Sequence, residues 1–165
     1  MTFLRVLGWI DTWALTATLA AQQRRQQLKG EDGAKTLVVR EEGAEGHPWT
    51  HPDLAKWTAM KNAIGRAGRL LAEQSPQLKI ARVAVELLEP GALLPWLKDD
   101  ASEIDVHVGL VHNPWSMLFA GNEGLNVLPG QIVAHGRDVL HSAVNLGTTP
   151  RVHLVLRLKK RENEE

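Results

Sequence analysis

Ile104-Asp105-Val106-His107-Val108-Gly109-Leu110-Val111 reads as a strand with two unlike faces. Asp105, His107, Gly109 and Val111 fall on one side, and Val106, Val108 and Leu110 on the other. The same grammar repeats around it. Residues 79–88, 115–120, 124–128, 131–135, 139–145 and 151–158 are short β-prone runs, punctuated by Pro90-Gly91, Asn113-Pro114, Gly121-Asn122, Pro129-Gly130 and the turn at 147–150. A Pro-Gly pair supplies the fixed φ and then the positive φ of a type II turn. Regularly spaced strands with this punctuation predict an all-β barrel or double-sheet jelly roll over residues 79–158.

Upstream the period changes. Asp11 is placed to cap a first helix with Trp13, Ala17 and Ala20 inward, and Gln22–Gln27 reads as its solvated end. Thr50-x-x-Asp53, with Pro52 in the first turn, predicts the start of a second helix. Trp57, Met60, Ile64, Ala67 and Leu71 recur along one face of it until Ser75-Pro76. A short strand is expected at 36–40, between loops at 30–33 and 43–47. The expected organisation is one domain over 1–165: a helical N-terminal part with short strands to 78, a β-barrel core at 79–158 and a charged tail at 159–165.

Composition narrows the chemistry. The 165 residues carry 19 Lys+Arg and 19 Asp+Glu, so bulk charge gives no grip on nucleic acid or anionic lipid. No cysteine is present, which removes thiolate catalysis and cysteine metal sites and leaves a reducing cytoplasm as the expected location. The apolar stretch 1–21 is interrupted by Arg5 and Asp11, and neither a signal peptide nor a membrane span is expected. Six Trp accompany two Phe and no Tyr, so the seven histidines are the proton carriers near neutral pH. Five of them, His107, His112, His135, His141 and His153, fall in the C-terminal third.

Alternation sets His141, Ala143 and Asn145 on one strand face, and Arg151, His153, Val155 and Arg157 on another. Inside a small barrel, His107, His141 and Arg151 are therefore expected to converge. Imidazoles suit a divalent metal, and a buried guanidinium suits a carboxylate. Plainer structural roles compete. His135 and His153 read as satisfied barrel or surface residues, and His47 and His51 as capping residues. Trp115 reads as core or substrate-stacking, and Arg151 as an exposed partner of Asp138 or Glu123.

The ordered series Val106-His107-Val108-Gly109-Leu110, His112-Asn113-Pro114, Leu128-Pro129-Gly130, His141-x-x-x-Asn145 and Arg151-x-His153-Leu154 resembles the aspartyl/asparaginyl β-hydroxylase family, over roughly 85–158. The resemblance implies a double-stranded β-helix, cupin-like, preceded here by two helices. It implies iron(II) and 2-oxoglutarate as cofactors and a small-molecule or peptidyl substrate, amino-acid-like and bearing a carboxylate. On it His141 is a metal ligand and Arg151, ten residues later, anchors the 2-oxoglutarate carboxylate. His107 and Asn113 fall with the cosubstrate.

Three positions depart from the family pattern. Trp96 stands where the family's first metal histidine is expected, eleven residues before His107. Lys98 stands at a carboxylate position of some relatives, and Asp105 at that of a cosubstrate-binding arginine. Asp99, Asp100, His107 or Asp105 could complete a rearranged metal site beside His141. The alternative is a metal-independent cyclase, isomerase or lyase with His107, His141 and Asp105 as acid–base residues, or a non-catalytic binding protein. Trp96 is expected to line the pocket mouth and stack on the ligand.

Overall fold

The computed structural model describes residues 4–23, 34–41, 58–98, 102–136 and 138–161. In chain order the elements are β1 (Leu4–Trp9), α1 (Trp13–Gln23), β2 (Ala34–Glu41), α2 (Thr58–Gln74), β3 (Leu78–Leu88), β4 (Leu97–Lys98), β5 (Glu103–Val111), β6 (Ser116–Ala120), β7 (Glu123–Leu125), β8 (Gln131–His135), β9 (Leu140–Asn145) and β10 (Arg151–Lys160). Six strands form one antiparallel sheet in the order β1-β8-β5-β10-β3-β2, and four form the facing sheet in the order β4-β9-β6-β7. This is the expected double-stranded β-helix with two helices laid on the larger sheet.

Each face of the large sheet has its own composition. Val83, Val85, Leu87, Val106, Val108, Leu110, Leu154 and Leu156 meet Leu15, Leu19, Met60, Ala63, Ala67 and Leu71 from the helices. The barrel side holds a smaller apolar group, with Leu88, Leu118, Ala120, Val133 and Ala143 among its members. Burying the helix stripe removes a continuous apolar surface from water, the main stabilising contribution here.

Local signals did their predicted work at the turns. Gly91 and Gly130 both have φ of 78°, with Ala92 N donating to the Glu89 carbonyl and Gln131 N to the Leu128 carbonyl. Gly121 opens the β6–β7 hairpin at φ 58°. Gly109 answers a different need. The 128–130 turn crosses so close that a Cβ there would collide with the Leu128 carbonyl oxygen.

Four expectations need correction. β1 was not foreseen; it pairs antiparallel with β8 and closes that side of the large sheet. In α1, Leu15 and Leu19 are the inward residues, while Trp13 and Ala17 are exposed. Two leucines one turn apart bury more apolar area than two alanines. The Asp11 carboxylate does accept from Trp13 N, at 3.0 Å. The charged tail starts later than expected. β10 runs on to Lys160, where Lys159 pairs with Lys79 and reaches Glu103 at 2.9 Å. The second helix is described from Thr58 and buries Met60, Ala63, Ala67 and Leu71, with Ile64 only half-buried. The capping signal at 50–53, Trp57, His47, His51, Asp99 and Asp100 lie outside the described residues. Among those described, no helix is long and apolar enough to cross a membrane.

Candidate functional site

Between the sheets lies a cavity of about 150 Å³, walled by Glu86, Pro95, Leu97, Asp105, His107, Leu118, His141 and Arg157 among others. Three neighbouring strands build its polar side. In the registers of β10 with β5 and β3, Arg157 faces Asp105, Val155 faces His107, and His153 faces Glu86. The alternation that sends Leu154 and Leu156 to the helices therefore sends Arg151, His153 and Arg157 inward.

Two ion pairs organise this wall. Arg157 Nε and Nη2 donate to the two Asp105 oxygens at 2.8 and 2.7 Å, a bidentate fork, and Nη1 lies 3.2 Å from Glu103. Burial pushes the Asp105 pKa up, but the hydrogen bonds and charge of Arg157 more than offset it, so the carboxyl sits below its usual range. The second pair joins Arg151, 3% exposed, to Glu86. Arg151 is thus neither an exposed residue nor a partner of Asp138 or Glu123. Asp138 pairs with Lys98 at 2.8 Å, and Glu123 accepts from Leu4 N. Nε and Nη1 of Arg151 have no hydrogen-bond partner among the described residues.

Four imidazoles lie in contact behind and beside the cavity. His153 and His107 meet edge-on with Nδ1 atoms 3.4 Å apart. The His107 ring centroid is 5.9 Å from that of His135, which stacks on His141 at 4.4 Å. Burial first, then the charge of His135 and Arg151, lowers His107 to a pKa of about 3. His153 falls well below its ordinary value for the same kind of reason. Both rings are neutral at pH 7. His141 is half-buried; its Nδ1 faces the Val139 carbonyl at 3.3 Å, which assigns the ring proton to Nδ1 and a lone pair to Nε2.

His107, His141 and Asp105 thus line one cavity. Arg151 shares their interior, but Glu86 stands between it and the open space. Two expected residues lie elsewhere. Trp96 is 52% exposed and packs on Phe119, ring centroids 6.1 Å apart. Leu118 faces the cavity, so its neighbour Phe119 faces outward, and Trp96 goes with it while Pro95 and Leu97 form the wall. Asn113 donates to Asn145 Oδ1 at 3.0 Å and the Thr149 carbonyl at 2.6 Å, and accepts from Trp115 N. Its amide holds the turn before β10 in place and is not part of the cavity wall. Glu86 and Arg157 are not singled out by the sequence, which reads His153 as a satisfied barrel or surface residue. His153 and Arg157 shared the face of Arg151, a signal that was available; Glu86 was legible only through the strand pairing.

The iron(II) and 2-oxoglutarate pair that the resemblance implies needs converging ligands and an open cation. Both Asp105 oxygens are taken by Arg157, and His107 Nδ1 faces His153. His135 and His141 are only 17° from parallel, so their in-plane lone pairs run side by side rather than converging on one ion. Among the described residues no group of three His, Asp or Glu side chains is arranged to hold a metal. The Arg151 guanidinium already holds a carboxylate from the chain itself. The described residues do not fit the pair in the family's manner.

No family model matches the chain, and no curated protein matches it in sequence. Solved structures do match. A viral collagen prolyl hydroxylase from Paramecium Bursaria Chlorella virus-1, in its 2OG complex, aligns over 98% of this chain and 97% of its own, with TM-score 0.69 and 8% identity. The non-heme alpha ketoglutarate dependent epimerase SnoN from nogalamycin biosynthesis aligns over 94% and 77%, with TM-score 0.68 and 14% identity. A Pseudomonas putida prolyl-4-hydroxylase aligns over 92% and 86%, with TM-score 0.67 and 14% identity. At such identities the likeness is one of fold, and the chain has the double-stranded β-helix fold of these enzymes.

Proposed function

We propose that the barrel cavity is the active site of an enzyme that moves a proton on a small carbonyl- or carboxylate-bearing molecule, amino-acid-like or peptidyl, without iron. The supporting observation is one cavity lined by two imidazoles in opposite settings. His141 is half-buried with a lone pair on Nε2, and His107 is buried and neutral. An imidazole that carries a lone pair on Nε2 and one that stays neutral suit a base and a hydrogen-bonding partner for the oxygen. His141 takes a proton from the carbon beside the carbonyl; that C–H electron pair forms a carbon–carbon double bond, and the carbonyl π pair moves onto the oxygen. His107 steadies the oxygen. Return of the proton to the other face or another atom completes an isomerisation; expulsion of a leaving group from the next carbon gives an elimination, and attack of the enolate carbon on another carbon of the same molecule, with that carbon's leaving group departing, closes a ring.

The test is solvent exchange in deuterium oxide with a panel of 2-oxo acids and amino acids, followed by proton NMR. Exchange is expected at the carbon next to the carbonyl and should fall roughly 10²- to 10⁴-fold in His141→Gln. No exchange with any member, or exchange unchanged by the substitution, overturns the assignment.

A second reading keeps an aspartyl/asparaginyl β-hydroxylase-like oxygenase using iron(II) and 2-oxoglutarate. It is favoured by Nε and Nη1 of buried Arg151, which have no partner among the described residues and are donors that a carboxylate would fill. It requires Glu86 to leave Arg151 and further donors, such as Asp99 or Asp100, to join His141. Anaerobic calorimetry with iron(II) and 2-oxoglutarate separates the two: tight joint binding supports the oxygenase.

A further inference from the structure

His153 is 1% exposed and lies outside the wall of the barrel cavity, yet it meets His107 nitrogen to nitrogen. A hydrogen bond between two neutral imidazoles needs an N–H on one ring and a lone pair on the other. Two arrangements are available, and they differ at His153 Nε2, which is buried without a partner among the described residues. Arg151 Nε and Nη1, two residues along the same face of β10, are buried N–H groups in the same condition. This corner already has more donors than acceptors. Were His107 the donor, His153 would carry its proton on Nε2 and add a third unsatisfied N–H near the Arg151 cation. With His153 as donor, Nε2 holds a lone pair, and the Arg151 charge that disfavours His153 protonation favours that lone pair. A buried donor left without an acceptor is the costlier error.

We propose, building on the acid–base reading of the cavity, that His153 is a positioning residue: it donates its Nδ1 proton to His107 Nδ1 and so holds His107 in the tautomer that carries its proton on Nε2. His107 then offers the cavity an N–H from a ring that neither takes up nor releases a proton near neutral pH. It recognises an oxygen acceptor, a carbonyl or the oxyanion that grows from it, and it cannot serve as the base. His141, whose own tautomer is set oppositely by the Val139 carbonyl, is left as the base. The substrate is thereby oriented, with its oxygen toward His107 and its acidic carbon toward His141.

The experiment is long-range proton–nitrogen correlation NMR of the ¹⁵N-labelled full chain at neutral pH, with no ligand added. His107 is expected to show a bare Nδ1 and a protonated Nε2, and His153 the reverse. A protonated Nδ1 on His107 overturns the proposal, and the wild-type spectrum decides this whether or not any variant folds. In His153→Leu the His107 signals should shift to those of a tautomer mixture, while in His153→Gln, whose amide can still donate, the single tautomer should return. An unchanged His107 pattern in a folded His153→Leu protein also overturns it. Because the spectra need no substrate, they stand apart from the exchange assay. Failed exchange with the expected tautomers removes the acid–base reading alone, whereas reversed tautomers with intact exchange remove only the role of His153.

Discussion

β10 displays two different kinds of interior within ten residues. Toward the helices it sets Val152, Leu154, Leu156 and Leu158, all nearly inaccessible and packed on side chains from α1 and α2. Toward the barrel it sets Arg151, His153, Val155 and Arg157, equally enclosed in part but held by charge pairs and ring contacts. One backbone supports both because successive side chains point to opposite faces of a strand. The helix face accounts for stability, since apolar burial is favourable without any directional requirement. The barrel face is a different investment of the same area: a buried ion pair contributes little net stability, and breaking one is costly. Its groups fit recognition and proton handling better than they fit holding the fold together.

The sharpest way to separate the faces is acid. Burial holds His107 and His153 neutral, and His107 titrates only at about 3. Unfolded imidazoles titrate near 6.5, so below that pH the unfolded chain binds more protons than the folded one. Stability present above pH 6.5 should fall as the pH drops toward 3, by up to about 1.4 kcal/mol per pH unit for His107, and His153 adds a loss in the same direction. Urea unfolding between about pH 7 and pH 5 reads this. A midpoint that stays level would mean that the barrel face does not keep its rings neutral. Asp105 adds to the decline at lower pH. Its folded pKa is depressed, so its contribution is present above the ordinary carboxylate range and is lost as the pH falls through the folded value.

Next in size is a test of the opposite face. Leu156→Ala removes a fully buried side chain between sheet and helices and should cost about 3 kcal/mol in urea denaturation at neutral pH. Val155→Ala, one residue away on the barrel side and only half-buried, should cost less than half as much. Equal losses would erase the contrast between the faces. The smallest effect concerns the outer face of the four-stranded sheet. Trp96→His should lose about 1 kcal/mol or less from the contact with Phe119. It should leave iron(II) affinity unchanged in anaerobic calorimetry, because position 96 points away from the cavity. A marked gain in iron binding would turn residue 96 inward and reopen the metal site.

Much of this was legible beforehand, for local reasons. Pro90-Gly91 and Pro129-Gly130 became the turns their φ preferences demand, and His107 and His141 came to one cavity through simple alternation. β1 escaped notice because a six-residue strand completed by pairing with β8 carries little pattern of its own. Trp96 departs from its expected place because an eleven-residue spacing does not say which way a side chain points just before a two-residue strand.

The sequence by itself determined which residues alternate, where the chain turns and which face of each strand is polar, since these follow from backbone geometry and side-chain chemistry over a few neighbours. Only the tertiary structure decided who meets whom across strands. Arg151 meets Glu86 rather than an incoming carboxylate, Arg157 occupies both oxygens of Asp105, and His153 lies against His107. Those partnerships depend on register between strands up to 65 residues apart. A shift of one residue in any ladder would turn the same side chains to the opposite face.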